Sequence, residues 1–367
     1  MKRLKVMVVV GTRPNFIKIT HFEKAFKQFE DRFVYQLVHT GQHFDHKMSQ
    51  VFFEKLQLKK PDFNLNIQEA DRDKRFDEMT HALGDLFQKE KTDLAIVVGD
   101  VDSTLAAARA AKANKIKLAH VESGLRSFDL AMPEEVNRIE VDQLADMLFV
   151  TEQSGLENLK KEGRKAEEVF FVGNTMIDTL VAFQEEIEAS QILEDLKLDK
   201  KGFILTTLHR PRNVDDPKNL EKIFEILEFL AKKNKIVLPL HPRTKANFNQ
   251  MKQSNQLKDN LIITEPLDYL AFQKLVSQAS FVLTDSGGIQ EETTFSKVPC
   301  ITLRPNTERP STLESGCNQL LDLDVEKVKQ AVYSLETFKS EEVNVPPLWD
   351  GAATYRIVKC LAEQFEN

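Results

Sequence analysis

The chain predicts an α/β protein built from two parallel-sheet domains that face a central cleft. Short β-branched runs alternate with longer amphipathic or Ala-rich stretches, the pattern of parallel strands joined by crossover helices. The alternation lapses in a Glu/Lys-rich stretch at 182–201 and restarts at Phe203. A length of 367 residues also exceeds what one hydrophobic core usually organises. These observations place one domain at 1–185 and a second at 186–350. An amphipathic tail, 351–367, is expected to cross back onto the first domain.

The elements follow in order. Strands are expected at 6–10, 35–38, 94–98, 117–121, 147–150 and 169–172, with helices at 76–88 and at 103–113, the latter capped by Ser103. The second half offers strands at 203–208, 236–240, 261–263, 281–284 and 299–303, and helices near 217–232, 269–278 and 288–295. The basic start Met1-Lys-Arg is followed by an apolar run that breaks at Gly11-Thr12-Arg13-Pro14. That is too short for a signal peptide or a membrane span, so it reads as a buried first strand.

Composition narrows the function. Fifty basic against 57 acidic residues give a net charge of −7, which supplies no global attraction for nucleic acid or an anionic membrane. An anionic ligand must therefore be held by local cations. Cys300, Cys317 and Cys360 are odd in number and lack CxxC spacing, which argues against a disulfide framework or a zinc ribbon and fits a reducing cytoplasm. The segment Gly41-Gln42-His43-Phe44-Asp45-His46 has metal-capable side chains without a recognised ligand spacing, so no metal is expected; His43 is left to the cleft or its covering loop.

In parallel α/β sheets, ligands gather at the carboxyl ends of the strands, and the informative residues follow strands here. Gly11-Thr12-Arg13-Pro14-Asn15-Phe16-Ile17-Lys18 makes a strand-to-helix turn with free N–H groups beside Arg13 and Lys18, an anion cradle. It fits neither GxGxxG nor the phosphate-binding GxxxxGK[ST], so no dinucleotide cofactor is expected. Asp100 and Glu122 end two neighbouring strands, where paired acids can divide proton removal and delivery. Asp102 reads as a helix-start acid and His120 as a satisfied packing histidine. In Pro133-Glu134-Glu135-Val136-Asn137-Arg138 the acids either serve catalysis or merely complement a helix dipole, and Glu134 and Arg138 are spaced for an ordinary i,i+4 pair. His209 follows the first strand of the second domain, where it can protonate a departing oxygen. Asp285-Ser286-Gly287-Gly288 aims backbone N–H groups and a hydroxyl at an anion, Glu292 is placed for ribose hydroxyls, and Arg309 follows the next strand.

Taken together, Gly11-Thr-Arg-Pro, Thr40-Gly-Gln-His43, Gly99-Asp100, His120-Val-Glu122, Pro133-Glu-Glu-Val-Asn-Arg138, Val172-Gly-Asn-Thr175, His209-Arg210, Asp285-Ser-Gly-Gly-Ile-Gln-Glu-Glu292 and Thr307-Glu-Arg309 resemble, in order, the motifs of non-hydrolysing UDP-N-acetylglucosamine 2-epimerases. The resemblance implies two Rossmann-like domains of glycosyltransferase-B type, usually in a homodimer, that interconvert UDP-GlcNAc and UDP-ManNAc for surface polysaccharide precursors. It implies catalysis by Asp100, Glu122, Glu134 and His209. It implies UDP-sugar contacts from Arg13, Lys18, Arg138, Ser286, Gly287, Gly288, Glu292 and Arg309, a uracil-side contact from Phe272 and a backbone contact from Leu267. The chain departs from the family at Asn15 and Ser123, where Glu and Ala are common, and at Arg212, where many members have Glu. A related branch acts on UDP-2,3-diacetamido-sugar uronic acids, whose carboxylate Arg212 could face. A hydrolysing epimerase, a UDP-sugar glycosyltransferase and a silent UDP-sugar sensor are the rival readings.

Overall fold

A computed structural model describes residues 3–41, 55–240, 257 and 259–366, with the backbone alone for Arg13; His43 and His46 lie outside the described residues. The chain divides into unit 1, Met1–Ala182 with Pro347–Asn367, and unit 2, Phe183–Pro346.

Unit 1 is a seven-stranded, all-parallel sheet. Its strands are β1 (Leu4–Val10), β2 (Phe33–His39), β3 (Phe63–Asn64), β4 (Leu94–Val98), β5 (Lys117–Ser123), β6 (Met147–Val150) and β7 (Val169–Phe171), in the spatial order β3-β2-β1-β4-β5-β6-β7. β1 and β4 read as unbroken apolar runs because both faces of the sheet are covered. One face packs Met7, Val9 and Val97 against helices; the other packs Val6, Val8, Leu94 and Ile96. The covering helices are α1 (Arg13–Lys18), α2 (Phe22–Lys27), α3 (Arg72–Glu90), α4 (Asp102–Ala113), α5 (Pro133–Leu144), α6 (Gln153–Lys161) and α7 (Thr175–Ala182). α4 buries Ala106, Ala107, Ala108, Ala110 and Ala111, small side chains that let its backbone approach the sheet. Its N-cap is Val101 and not Ser103, which sits buried inside the first turn. Asp102 starts the helix and receives Arg72 through two hydrogen bonds of 2.9 and 2.7 Å.

Unit 2 has six parallel strands: β8 (Phe203–Thr207), β9 (Lys235–Pro239), β10 (Leu261–Thr264), β11 (Phe281–Thr284), β12 (Cys300–Leu303) and β13 (Asn318–Leu321), ordered β10-β9-β8-β11-β12-β13. Its main helices are α8 (Pro217–Ala231), α9 (Tyr269–Gln278), α10 (Gly287–Phe295) and α11 (Val325–Ser334). Asp216, Asp268 and Asp324 cap α8, α9 and α11 by accepting backbone N–H groups. Such caps each contribute about 1 kcal/mol. The Glu/Lys-rich stretch forms two short helices, Gln184–Glu188 and Ile192–Asp195, that bury Ile187 and Leu193.

α12 (Ala353–Gln364) belongs to unit 1, where Ile357, Val358, Leu361 and Ala362 join the cluster of Phe22, Phe26 and Phe33. Asp178 of α7 holds its start, accepting from Ala353 N, Thr354 N and Thr354 Oγ1 at 3.0, 2.6 and 2.6 Å. Just upstream, Trp349 Nε1 donates to the Thr151 carbonyl at 2.9 Å. Gly173 has φ +87° and lies so close to the Leu348 carbonyl that a Cβ would stand 2.1 Å from it. Only glycine fits that crossing. Among the described residues no helix is long and apolar enough to cross a membrane.

Candidate active site

Sheet order reverses between β1 and β4 in unit 1 and between β8 and β11 in unit 2. At such points the loops at the strand ends part and leave a crevice. The motif residues gather at both.

In unit 1 the turn after β1 is built by Asn15, whose Oδ1 accepts from Gly11 N, Thr12 N and Thr12 Oγ1 at 3.3, 3.1 and 3.0 Å. Its Nδ2 donates to the Val98 carbonyl at 3.0 Å, tying the start of α1 to the end of β4. One turn further on, Lys18 Nζ forms a buried ion pair with Glu122. A Cβ on Gly99 would lie 3.3 Å from both Lys18 Nζ and Glu122 Oε2, so the pair crowds the end of β4. Glu122 itself has φ +75° at an irregularity in β5, where pairing with β6 shifts between Val121 and Ser123. A non-glycine residue in that conformation is strained by about 1–3 kcal/mol, a cost concentrated at functional sites. At the kink the side chain meets Lys18 beside Gly99, just past the end of β4.

The bend is held from behind. His120 is buried, with Nδ1 2.7 Å from Asp142 Oδ1 and Nε2 2.8 Å from the Gly99 carbonyl, and it is the satisfied interior histidine its context predicts. Asp142 also accepts from Gly124 N at 3.0 Å and pairs with Arg126 at 2.8 Å; Arg126 reaches on to Glu162 at 2.7 Å. Burial alone would raise the Asp142 carboxyl, but His120, Arg126 and the Gly124 N–H outweigh it and hold it below the usual carboxylate range.

Asp100 pairs with Arg138, a nearly inaccessible guanidinium that also lies 3.7 Å from Glu135. The spacing-based pair between Glu134 and Arg138 does not form, because Arg138 turns inward toward β4. Asn137 completes the join, donating to the Asp100 carbonyl at 2.9 Å and to Asp102 at 3.2 Å. Glu135 is inward too, accepting from Ser127 N and Phe128 N at 2.9 Å each. Glu134, in the exposed first turn of α5, has no hydrogen bond or ion pair among the described residues.

In unit 2, Asp285 organises the end of β8. Its carboxylate accepts from His209 N at 3.1 Å, Arg210 N at 3.0 Å and Asn213 Nδ2 at 3.0 Å, and it lies 3.2 Å from His209 Nδ1. The imidazole remains half-exposed. α10 starts at Gly287 after Ser286, which supplies no side-chain cap. Gln290 braces this turn from below, with Nε2 donating to the Ser286 carbonyl at 3.2 Å and Oε1 accepting from Thr307 and Asn318 at 2.7 and 3.0 Å. Arg309 is buried between Glu291, 2.9 Å away, and Glu308. Leu267 and Phe272 are half-buried against the core of α9. Arg212 lies on the surface, 3.9 Å from Asp322.

Glu292 is buried, which pushes its carboxyl up to about 7, with Glu291 adding to the effect and Gln273 opposing it. The folded form therefore holds this proton more tightly than the unfolded chain, whose carboxyl titrates near 4.5. Stability is expected to fall as pH rises from about 4.5 to 7, by about 3 kcal/mol, and to level off above. Urea melts at pH 5 and pH 8 check this: Glu292→Gln should narrow the gap between them, and an unchanged gap would refute the assignment.

Sequence reasoning did not anticipate the bracing role of Asn15, the partner of Lys18, or the places of Asp285 and Gln290. Their only signal was position, at a strand end or one turn into the following helix. Among the described residues no group of three His, Cys, Asp or Glu side chains is placed to hold a metal ion.

Two parallel α/β units, each with polar residues at its topological switch point, belong to the glycosyltransferase-B-type fold class. Comparison with known proteins narrows the class. The family model described as UDP-N-acetylglucosamine 2-epimerase matches residues 25–362. The UDP-N-acetylglucosamine 2-epimerase of Methanocaldococcus jannaschii is 38% identical over 368 residues, covering 98% of this chain and 99% of that one. A crystal structure of that organism's enzyme in complex with UDP-GlcNAc and UDP superposes with a TM-score of 0.88 at 37% identity, covering 98% of this chain and 100% of the other. The UDP-2,3-diacetamido-2,3-dideoxy-D-glucuronate 2-epimerase of Pseudomonas aeruginosa is 39% identical over 336 residues, covering 90% of this chain and 92% of that one. The chain belongs to the UDP-N-acetylglucosamine 2-epimerase family, and it is an enzyme of the isomerase type.

Proposed function

We propose that the protein interconverts UDP-GlcNAc and UDP-ManNAc without net hydrolysis. The observation that supports this reading is the strained Glu122 clamped to Lys18 at the end of β5, a backbone cost of the kind that functional sites carry. C2 of the sugar has no neighbouring carbonyl, so its hydrogen is not acidic in the ground state. Loosening the C1–O bond places positive charge on C1 and acidifies that hydrogen. A carboxylate then takes the C2 proton, the C1–C2 double bond forms, and the C1–O bond pair leaves with UDP, giving 2-acetamidoglucal. Protonation of C2 from the other face and attack of the UDP oxygen on C1 give the epimer.

In this scheme unit 2 holds the nucleotide and unit 1 supplies the acids. Arg309, Arg13 and the Ser286–Gly288 turn stabilise the charge that develops on UDP, and Lys18 holds Glu122 in place. Asp100, Glu122 and Glu134 divide the roles of base, acid and stabiliser of the cationic C1, with Arg138 orienting Asp100. His209, positioned by Asp285, serves the leaving oxygen. Glu292 takes the ribose hydroxyls, with Phe272 and Leu267 at the uracil. A cytoplasmic homodimer that supplies surface polysaccharide precursors completes the reading.

A second reading, epimerisation of a UDP-2,3-diacetamido uronic acid, is favoured by the 39% identity to the Pseudomonas aeruginosa protein. Incubation with each sugar nucleotide in D2O, followed by NMR, separates the possibilities. Deuterium at C2 and a manno product from UDP-GlcNAc are expected. Exchange confined to the diacetamido uronate would select the second reading, and UDP released in step with sugar consumption would mean hydrolysis.

A further inference from the structure

Arg304 follows β12 directly and is 2% exposed, one of the largest fully buried side chains. Its Nη2 donates to Glu308 Oε2 at 2.8 Å. Nε and Nη1 have no hydrogen-bond partner among the described residues. A guanidinium cannot lose its proton to escape this situation, and an idle buried donor costs about 1–3 kcal/mol, more when it is charged. Idle donors in a native interior therefore indicate a missing acceptor.

The position of that acceptor follows from Gly287, the first residue of α10. A Cβ placed there would lie 3.4 Å from Arg304 Nη1, 2.8 Å from Arg309 Nη1 and 2.8 Å from Glu308 Oε1. Two guanidinium groups and one carboxylate thus converge on an uncapped helix start, where backbone N–H groups also favour an anion. Burial depresses the Arg304 guanidinium from the ordinary arginine range; Glu308 opposes the shift while Arg210 and Arg309 add to it. Glu291 also pairs with Arg309, at 2.9 Å, so Glu308 is the one carboxylate among the described residues that the two guanidinium groups share. Glu308 stands where an anion is wanted, bonded to both Arg304 and Arg309.

We propose that Glu308 is a resident anion that holds the place of a phosphoryl group of the nucleotide, and that Arg304 is the phosphate ligand it keeps in readiness. An arriving diphosphate displaces the carboxylate, and its oxygens supply the acceptor that Nη1 lacks together with the one that Nη2 gives up, the forked geometry arginine favours. On release, Glu308 returns, so Arg304 regains its counter-charge. The inference rests on the UDP reading above and identifies which side chains read the diphosphate.

Calorimetric titration of the full chain with pyrophosphate and with UDP, at several salt concentrations, tests it. Arg304→Gln is expected to weaken both ligands at least tenfold and to flatten the dependence of affinity on salt, a readout that a purely structural arginine would not move. Glu308→Gln is expected to tighten both severalfold by removing the competing charge. Folded variants that bind both ligands like the wild type would overturn the proposal. If Arg304→Gln does not fold, Arg304→Lys and Glu308→Gln decide: an unchanged salt dependence in the first and no tightening in the second would overturn it equally. A wild-type protein that binds pyrophosphate through Arg304 yet leaves UDP-GlcNAc unturned would sink the epimerase reading and leave this one standing. Normal epimerisation with a UDP affinity indifferent to Arg304 would do the reverse.

Discussion

Glu122→Gln is expected to lose turnover by about a thousandfold, within the range that positioned acid–base groups contribute, while its affinity for UDP stays within about threefold. The amide keeps the volume and the bent backbone of Glu122 but cannot take or give the proton. It also leaves Lys18 in a buried site without its carboxylate partner, so the variant should be less stable than the wild type. Pairing it with Lys18→Met separates the two effects. The double variant should recover much of the lost stability and none of the turnover, because removing both members of a buried pair costs less than removing one. Steady-state rates, UDP calorimetry and denaturant melts together check this. A folded Glu122→Gln protein with more than a tenth of the wild-type rate would remove Glu122 from the chemistry.

Asp142→Ala is the largest stability change we expect, about 3–5 kcal/mol, the usual cost of breaking a buried ion pair from one side. Its carboxylate is shared by His120, Arg126 and the Gly124 N–H. Alanine would take the buried acceptor from His120 Nδ1, the Gly124 N–H and one side of Arg126, and free the bend that carries Glu122. Turnover should fall as well, through misplacement rather than lost chemistry. Urea unfolding measures the first effect, and a change under about 1 kcal/mol would show that solvent or other residues already satisfy these donors.

The parts of this protein legible in the sequence are those set by local pattern. β1 and β4 announce themselves because a strand covered on both faces must be apolar throughout. The Asp285-Ser286-Gly287-Gly288 turn is legible because strand, turn and helix start are adjacent in sequence. Two of the four edge strands were not, although β7 and β10 were: β3 spans two residues, and β13 begins with Asn318 and Gln319, so neither forms an apolar run. Choosing Ser103 as a cap failed because the helix began one residue earlier, at an acid that suits the dipole equally well. Partner choice is the larger gap. Lys18 and Glu122 are 104 residues apart, and Asp100 and Arg138 are 38 apart. Periodicity says nothing about which cation turns to which carboxylate; Glu134 was nearer Arg138 in sequence, yet the inward turn of α5 gave it Asp100 instead.

The return of the chain to unit 1 at Pro347 means that translation order and assembly order differ. A ribosome emits all of unit 2 before the helix that seals Phe26 and Phe33 in unit 1. The nascent first unit must wait with that apolar seam bare, the kind of surface on which chaperones act and misassembly begins. Damage to the codons for Ile357 or Leu361 would therefore be felt in the half of the molecule that was made first.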